Sequence, residues 1–184
     1  TKTMLIVLLV TMAAASAMAG SGSVEGWFQA GNDINGYAIG TEETDHGKIA
    51  FIKATDPAKD KFGTLMQCYS ARDYLGKRIR MSASIKPVGV MNWAGMWMRV
   101  DSGRKSTAFD NMQGRPLTGS DDWKTYTIVL DVSKESDSIS MGVLLAGEGV
   151  VYWDDVRVEV VSRDVPVTDP RTIKSGPTNL DFGD

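Results

Sequence analysis

The stretch "KRIRMSASIKP", residues 77–87, shows the clearest periodicity in this chain of 184 residues. Ile79, Met81, Ala83 and Ile85 alternate with arginine, serine and lysine side chains. Successive side chains of a β-strand point to opposite faces of the sheet. The pattern therefore predicts a half-buried antiparallel strand with one face in a core and the other in solvent.

The next segment, "NWAGMWMRVD" at 92–101, alternates in the same way. Met96 and Met98 share one face, and Trp97 and Arg99 share the other. A hairpin across "SGRK" is predicted to pair this strand with residues 106–112. The methionine face is typical of a core, but tryptophan is often buried too, so the pattern leaves open which face is inward.

The remaining sequence from 24 to 162 predicts more short strands and no long amphipathic helix. The other strand candidates are 26–30, 47–54, 64–71, 123–132, 137–147 and 150–161. Asn35-Gly36 is a turn signal, and "RPLTGSDD" at 115–122 is predicted to be a loop. Many short strands separated by turn signals favour an all-β antiparallel sandwich or barrel.

The two ends of the chain differ in composition from this central domain, 24–162. Residues 1–19 resemble a cleavable secretory signal peptide, with an apolar run followed by "AMA". A retained membrane tether is the alternative; otherwise no stable membrane insertion is expected after cleavage. Residues 20–23 form a short linker, and 163–184 are predicted to be an extended tail or linker. The predicted location is secreted or periplasmic.

Composition argues against several function classes. The net charge is −3, and no basic cluster exceeds "KRIR" at 77–80, so no nucleic-acid partner is expected. The single cysteine, Cys68, excludes an intrachain disulfide and is predicted to be a buried, inert thiol. The single histidine, His46, lies in a polar stretch and is predicted to be solvated.

No phosphate loop or nucleophile motif is present, so a non-enzyme is predicted; hydrolysis through Asp110 and a second acid is a minor alternative.

Two segments near the end of the domain carry a family resemblance. "YWDDVRVEVV" at 152–161 and "DWKTYTIVLDV" at 122–132 resemble the closing strands of bacterial carbohydrate-binding modules of the galactose-binding-like type. The order of segments over about 24–162 is similar to an uncharacterised module that recurs beside other domains, including in some transcriptional regulators. The resemblance implies a jelly-roll β-sandwich that binds carbohydrate. Fold resemblance alone does not establish function.

Sugar binding requires flat aromatic faces that stack on a pyranose ring and planar polar groups that bind its hydroxyls. Trp93, Trp97 and Arg99 share one strand face, and side chains from two other strands are expected to join them. The candidate ligand-binding residues are Trp93, Trp97, Arg99, Asn111, Gln67 and Tyr69. The alternative is that loops or the tail cover the tryptophans and that Arg99 binds a neighbouring carboxylate.

The resemblance also implies a structural calcium ion, for which Asp155 is the candidate ligand. Asp154 and Asp155 are adjacent, so on a regular strand they are expected to point to opposite faces. A salt bridge from Asp155 to Arg157 is the competing interpretation. No other cofactor is predicted. The alternative function is a structural or protein-interaction module of the cell envelope.

Overall fold

A computed structural model describes residues 24–45, 47–58 and 60–171. The strands are β1 (Phe28–Gly31), β2 (Tyr37–Thr44), β3 (Gly47–Ala54), β4 (Phe62–Ser70), β5 (Arg78–Val88), β6 (Val90–Ser102), β7 (Lys105–Asp110), β8 (Leu117–Gly119), β9 (Lys124–Asp131), β10 (Ser138–Ala146) and β11 (Val150–Val161). The described helices are two single 3-10 turns, Ile34–Gly36 and Arg72–Tyr74. No helix among the described residues is long and apolar enough to span a membrane.

The strands form two antiparallel sheets, as the all-β prediction requires. The six-stranded sheet has the order β1-β4-β10-β6-β7, with β8 also paired to β6. The five-stranded sheet has the order β2-β3-β11-β5-β9. Apolar side chains from the two sheets form one core between them, and its largest fully buried members include Trp153, Met81, Met96 and Met98. The domain is therefore a β-sandwich.

The alternation in β5 and β6 is confirmed. Ile79 and Met81 are 0% exposed, whereas Arg78 and Arg80 on the other face of β5 are partly exposed. On β6, Met96 and Met98 point into the core. The other face of β6, with its two tryptophans and Arg99, therefore faces away from the five-stranded sheet.

Two strands lie outside the strand candidates of the sequence. β2 follows the Asn35-Gly36 turn signal, and its apolar residues are interrupted by Gly40 and followed by polar residues, which hides the period. β8 is only three residues long and lies inside 115–122. Such short or glycine-containing strands are specified by their neighbours in the sheet more than by their own pattern.

The prediction for Cys68 is wrong, because this thiol is free and exposed. It shares the outward face of β4 with Thr64 and Met66, while Leu65 points into the core. Apolar residues occur on both faces of β4, so the apolar stretch around Cys68 does not indicate burial.

Residues 163–171, here called the C-terminal strap, lie against the sandwich. Arg78 donates from Nη1 to the carbonyl oxygens of Arg163 and Val165, both at 2.6 Å. Its Nε and Nη2 donate to the two carboxylate oxygens of Asp131, each at 2.8 Å. One arginine of β5 thus links the strap to the end of β9.

The strap is also hydrogen-bonded to β9 of the five-stranded sheet and to β7 of the six-stranded sheet. The Thr168 amide donates to the Val129 carbonyl at 2.9 Å, and the Val129 amide donates to the Thr168 hydroxyl at 2.9 Å. The Phe109 amide of β7 donates to the Asp169 carboxylate at 2.9 Å. The described part of the predicted tail is therefore hydrogen-bonded to both sheets. The boundary at 162/163 and the segments 1–19 and 20–23 remain predictions, since 1–23 and 172–184 lie outside the described residues.

Replacing Arg78 with glutamine is expected to reduce the acid sensitivity of folding. The hydrogen bonds from Arg78 lower the pKa of the Asp131 carboxyl from its ordinary value of 3.8, against the opposing effect of its partial burial. A carboxyl with a lowered folded pKa contributes stability above its unfolded pKa and loses it as the pH falls through the folded value. Urea unfolding at pH 7 and pH 3 should show that the free energy of unfolding falls less between the two pH values in the variant than in the wild type.

The matched control is Arg80→Gln, which removes an exposed pair with Glu159 that has no strap contact. This variant should retain the acid sensitivity of the wild type. If Arg78→Gln loses the same free energy of unfolding at both pH values, the Arg78–Asp131 pair does not account for the acid response.

Candidate binding groove

An open groove of about 560 Å³ lies on the face of the six-stranded sheet that points away from the core. Residues of β1, β4, β6, β7 and β10 line it together with the segments that flank those strands. Its aromatic lining residues are Phe62, Trp93, Trp97 and Phe109. Four of the predicted ligand-binding residues line this groove: Trp93, Trp97, Arg99 and Asn111.

Trp97 forms the floor of the groove. Its Nε1 donates to the Thr64 hydroxyl at 2.9 Å, and that hydroxyl donates to the Val143 carbonyl at 2.7 Å. β10 lies between β6 and β4, so the indole extends across β10 to reach Thr64. The residue of β10 opposite Trp97 is Gly142, where a Cβ atom would be too close to the Leu65 carbonyl oxygen and to Met66 on β4. Trp97 is 9% exposed, and its indole N–H is already bonded.

Trp93 lies nearer the mouth of the groove and is partly exposed. A Cβ atom placed on Gly95 would be 3.6 Å from the Trp93 ring and 3.1 Å from Met112 Cβ. The glycine therefore allows the segment after β7 to approach β6 closely, whereas the Trp93 ring lies at an ordinary contact distance. Trp93 presents accessible apolar surface, while Trp97 supports the floor.

Arg99 lines the other end of the groove and faces Phe109 across the β6–β7 pair. Its Nε donates to Asp101 Oδ2 at 2.9 Å. The Arg99 side chain is 47% exposed and that of Asp101 is 14% exposed. Arg99 therefore does bind a neighbouring carboxylate, as the alternative interpretation expected, and it also lines the groove.

The placement of Gln67 and Tyr69 in the same patch is wrong. On β4 the groove face presents Thr64 and Met66, so the intervening positions point toward the other sheet. Tyr69 packs against the core, and burial raises the pKa of its phenol. Gln67 lines a separate opening between the sheets.

Several groove residues are not among those predicted from the sequence. Phe62, Thr64 and Met66 of β4 line the groove, as does Phe109 of β7. Alternation indicates which of them share a face, but it does not show that β4 and β7 lie in the same sheet as β6. The order of strands in the sheet brings them together.

Asp110, the candidate hydrolase carboxylate, does not line the groove. It is 2% exposed, and its carboxylate accepts hydrogen bonds from Arg115 Nη2 at 2.7 Å and Arg115 Nη1 at 3.2 Å. Its neighbour Phe109 lines the groove, so Asp110 points to the opposite face of β7. The structure therefore gives Asp110 a structural ion pair and separates it from the groove.

The expectation that Asp154 and Asp155 point to opposite faces holds for a regular strand, and β11 is irregular at this place. The pairing of β11 with β5 shifts register between Asp154 and Arg157, and Asp155 has a φ of +52°. A β-bulge of this kind redirects side chains. Both carboxylates line a second concavity on the outer face of the five-stranded sheet, beside Tyr152. Burial raises the pKa of Tyr152, and the charge of Glu42 adds to the effect.

The calcium ligand Asp155 remains a prediction. Its side chain is 71% exposed and lies 3.9 Å from Arg157 Nη2, as the competing interpretation expects. Within residues 24–45, 47–58 and 60–171, no group of three or more His, Cys, Asp or Glu side chains is arranged to hold a metal ion. His46 lies outside the described residues.

Sequence comparison finds one informative relative. No protein-family model matches the chain. The chain is 40% identical over 167 residues to YbfP of Bacillus subtilis strain 168, described as an uncharacterized HTH-type transcriptional regulator. The match includes 86% of this chain and 57% of the relative, so the chain spans little more than half of that protein.

Solved structures share the fold at low sequence identity. The enzymatically active domain of bacteriophage CBA120 tailspike protein 4 has a TM-score of 0.56 and 9% identity, over 74% of this chain and 20% of that one. The Stig cyclase Fisc from Fischerella sp. TAU has a TM-score of 0.55 and 15% identity, over 74% and 85%. The CBM22-1 xylan-binding domain of Paenibacillus barcinonensis Xyn10C has a TM-score of 0.53 and 11% identity, over 76% and 88%. These likenesses show a fold used by carbohydrate-binding modules and by enzymes.

Proposed function

We propose that this chain is a non-catalytic module of the galactose-binding-like jelly-roll type that binds carbohydrate in the groove of the six-stranded sheet. The observation that carries the proposal is that Trp93, Trp97, Arg99 and Asn111 all line one open groove. Aromatic faces stack on the apolar faces of sugar rings, and amide and guanidinium groups bind their oxygens. A groove of this size admits an extended ligand.

The comparisons support this proposal at the level of the fold. A xylan-binding domain with 11% identity shares the sandwich over 76% of this chain. The cyclase and the tailspike domain share it as well, so the fold by itself does not decide between binding and catalysis. The aromatic lining of the groove favours binding.

Replacing Trp93 with alanine is expected to weaken glycan binding by roughly 30-fold, since central aromatic contacts contribute about 2 kcal/mol or more. The expected measurement is affinity electrophoresis in gels that contain neutral and acidic polysaccharides. The matched control is Trp123→Ala, which removes a tryptophan that is 38% exposed and lines the other concavity. Only the Trp93 variant should lose its retardation in the gel.

Three results would overturn parts of the proposal. Absence of retardation of the wild type by every polysaccharide in the panel would favour the structural or protein-interaction module. If the Trp93→Ala variant is retarded as strongly as the wild type, any glycan site lies elsewhere on the domain. Release of reducing ends from a bound polysaccharide would contradict the non-catalytic assignment.

A second candidate function is the ligand-sensing part of a transcriptional regulator. The observation that favours it is the 40% identity to YbfP. This candidate differs from an exported module in compartment, because a regulator acts where the chromosome is. We propose export on the basis of the apolar run and "AMA" site in residues 1–19. Cell fractionation with N-terminal sequencing separates the two: a mature chain that begins at residue 20 outside the cytoplasm excludes the regulator.

A further inference from the structure

The free polar groups in the groove are mostly hydrogen-bond donors. The Thr64 hydroxyl both accepts from Trp97 and donates to Val143, so it is already engaged in both roles. Asn32 Oδ1 accepts from the Phe62 amide at 2.8 Å, and Asn111 Oδ1 accepts from the Gln113 amide at 3.1 Å. These bonds leave the NH₂ groups of Asn32 and Asn111 available, and among the described lining residues Asn92 keeps both its amide oxygen and its NH₂ group free.

Arg99 adds a fixed guanidinium to these donors. Asp101 accepts a hydrogen bond from Arg99 Nε at 2.9 Å, which orients the planar group. Among the described residues, no acceptor bonds to the terminal Nη1 and Nη2 atoms of Arg99. The free edge formed by Nη1 and Nη2 is suited to bidentate recognition of a carboxylate.

The carboxylate that lines the groove lies far from Arg99. Asp60 lines the end where β4 begins, beside Lys61 and Phe62. Phe62 and Trp93 are both register partners of Ala146 on β10, so that end lies beside Trp93. Arg99 lies six positions after Trp93 on β6, a distance of about 20 Å in a strand. The Arg99 end of the groove therefore lacks a free acidic group among its described lining residues.

Further basic side chains lie near the Arg99 end. Arg104 and Lys105, at the turn between β6 and β7, are exposed and have no ion-pair partner among the described residues. The Arg171 guanidinium of the C-terminal strap lies 5.8 Å from the centre of the Phe109 ring, although it is paired with Asp169. The Asp137 carboxylate, which accepts a hydrogen bond from the Gly103 amide, adds one negative charge at the same turn. Unpaired basic side chains beside the groove attract anionic ligands.

We propose that the groove selects an acidic glycan and that Arg99 binds the carboxylate of a uronic acid unit. The ring of that unit lies beside Phe109, and a sugar several units further along the same chain stacks on Trp93. The groove is expected to select such a ligand because its free hydrogen-bond donors match the many acceptor oxygens of an acidic glycan. This inference rests on the proposed function of the groove.

Matched polysaccharides that differ only in carboxylate charge test the inference. Isothermal titration calorimetry would compare polygalacturonate and alginate with the methyl or hydroxyalkyl ester of each polymer. At least one acid form is expected to bind the wild type 10-fold or more tightly than its ester. Added salt should weaken the acid form more than the ester, because part of the attraction is electrostatic.

Arg99→Gln is expected to abolish the preference for the acid form over its ester and to weaken ester binding by a smaller factor, because the guanidinium also contacts neutral sugar oxygens. The matched control is Arg80→Gln, which removes an exposed arginine from the five-stranded sheet and should bind both forms as the wild type does. Thermal melts of both variants would confirm that each is folded.

The outcomes separate this inference from the proposed function. Equal affinity of acid and ester forms, or an unchanged preference in Arg99→Gln, would overturn the acidic-glycan assignment. Binding of neutral glycans that depends on Trp93 would still support the groove as a carbohydrate site. Failure of acidic, esterified and neutral glycans alike would overturn both.

Discussion

Replacing Trp97 with alanine is expected to lower the free energy of unfolding by about 3–5 kcal/mol, the usual cost of truncating a large buried aromatic residue. Trp97 is 9% exposed, and its indole extends across β10 to the Thr64 hydroxyl. The variant would leave a cavity in the groove floor and would remove a bond that links β6 to β4. Urea unfolding followed by circular dichroism measures the loss.

Trp93→Ala is the matched comparison on the same strand. Its side chain is partly exposed and makes no side-chain hydrogen bond with another described residue, so the expected loss is about 1 kcal/mol. The two variants should therefore separate stability from binding: Trp97→Ala destabilises the sheet, whereas Trp93→Ala mainly removes the stacking surface. Equal losses of stability in both would contradict the assignment of Trp97 as floor and Trp93 as platform.

Replacing Arg115 with alanine is expected to cost about 3 kcal/mol, toward the lower end for breaking a buried ion pair. Asp110 is 2% exposed and would keep its charge without a cation beside it. The side chain of Arg115 is 42% exposed, so water entering its place limits the loss. Arg115 Nη2 also donates to the Thr127 carbonyl at 3.1 Å, so the variant should loosen the contact between the loop after β7 and β9.

The double variant Arg115→Ala/Asp110→Asn tests the cause of that loss. In the wild type the Met112 amide donates a hydrogen bond to Asp110 Oδ1 at 2.8 Å. Asparagine at position 110 retains an oxygen that can accept this bond, and because it is neutral it needs no cation beside it. The second substitution should therefore recover part of the stability, and a double-mutant cycle gives the coupling energy. A loss below about 0.5 kcal/mol in Arg115→Ala, a value typical of exposed pairs, would contradict the buried-pair interpretation.

The alternation within single strands is readable from the sequence. β5 and β6 place their aliphatic and methionine side chains on one face because a strand has a period of two residues. The same period correctly predicts that Trp93, Trp97 and Arg99 share the other face of β6. This prediction requires only the local backbone conformation, which these segments specify strongly.

The same rule fails where the local pattern is ambiguous. β4 has Leu65 on its core face and Met66 on its groove face, so both faces are partly apolar, and the prediction assigns Gln67 and Tyr69 to the wrong one. A groove with an apolar lining removes the contrast in polarity between faces on which the prediction depends. The bulge at Asp155 is missed for a different reason, because a positive φ at an aspartate leaves no periodic signal.

The sequence by itself determined that the domain is built of strands, and it determined which side chains of β5 and β6 share a face. Only the tertiary structure decided that β10 lies between β6 and β4, with Gly142 opposite Trp97. That order brings Thr64 to the Trp97 indole across 33 positions of sequence and joins Phe62 and Phe109 to the same groove. Side-chain direction along a strand is a local property of the backbone, whereas strand neighbours depend on how the whole set of apolar faces is buried together.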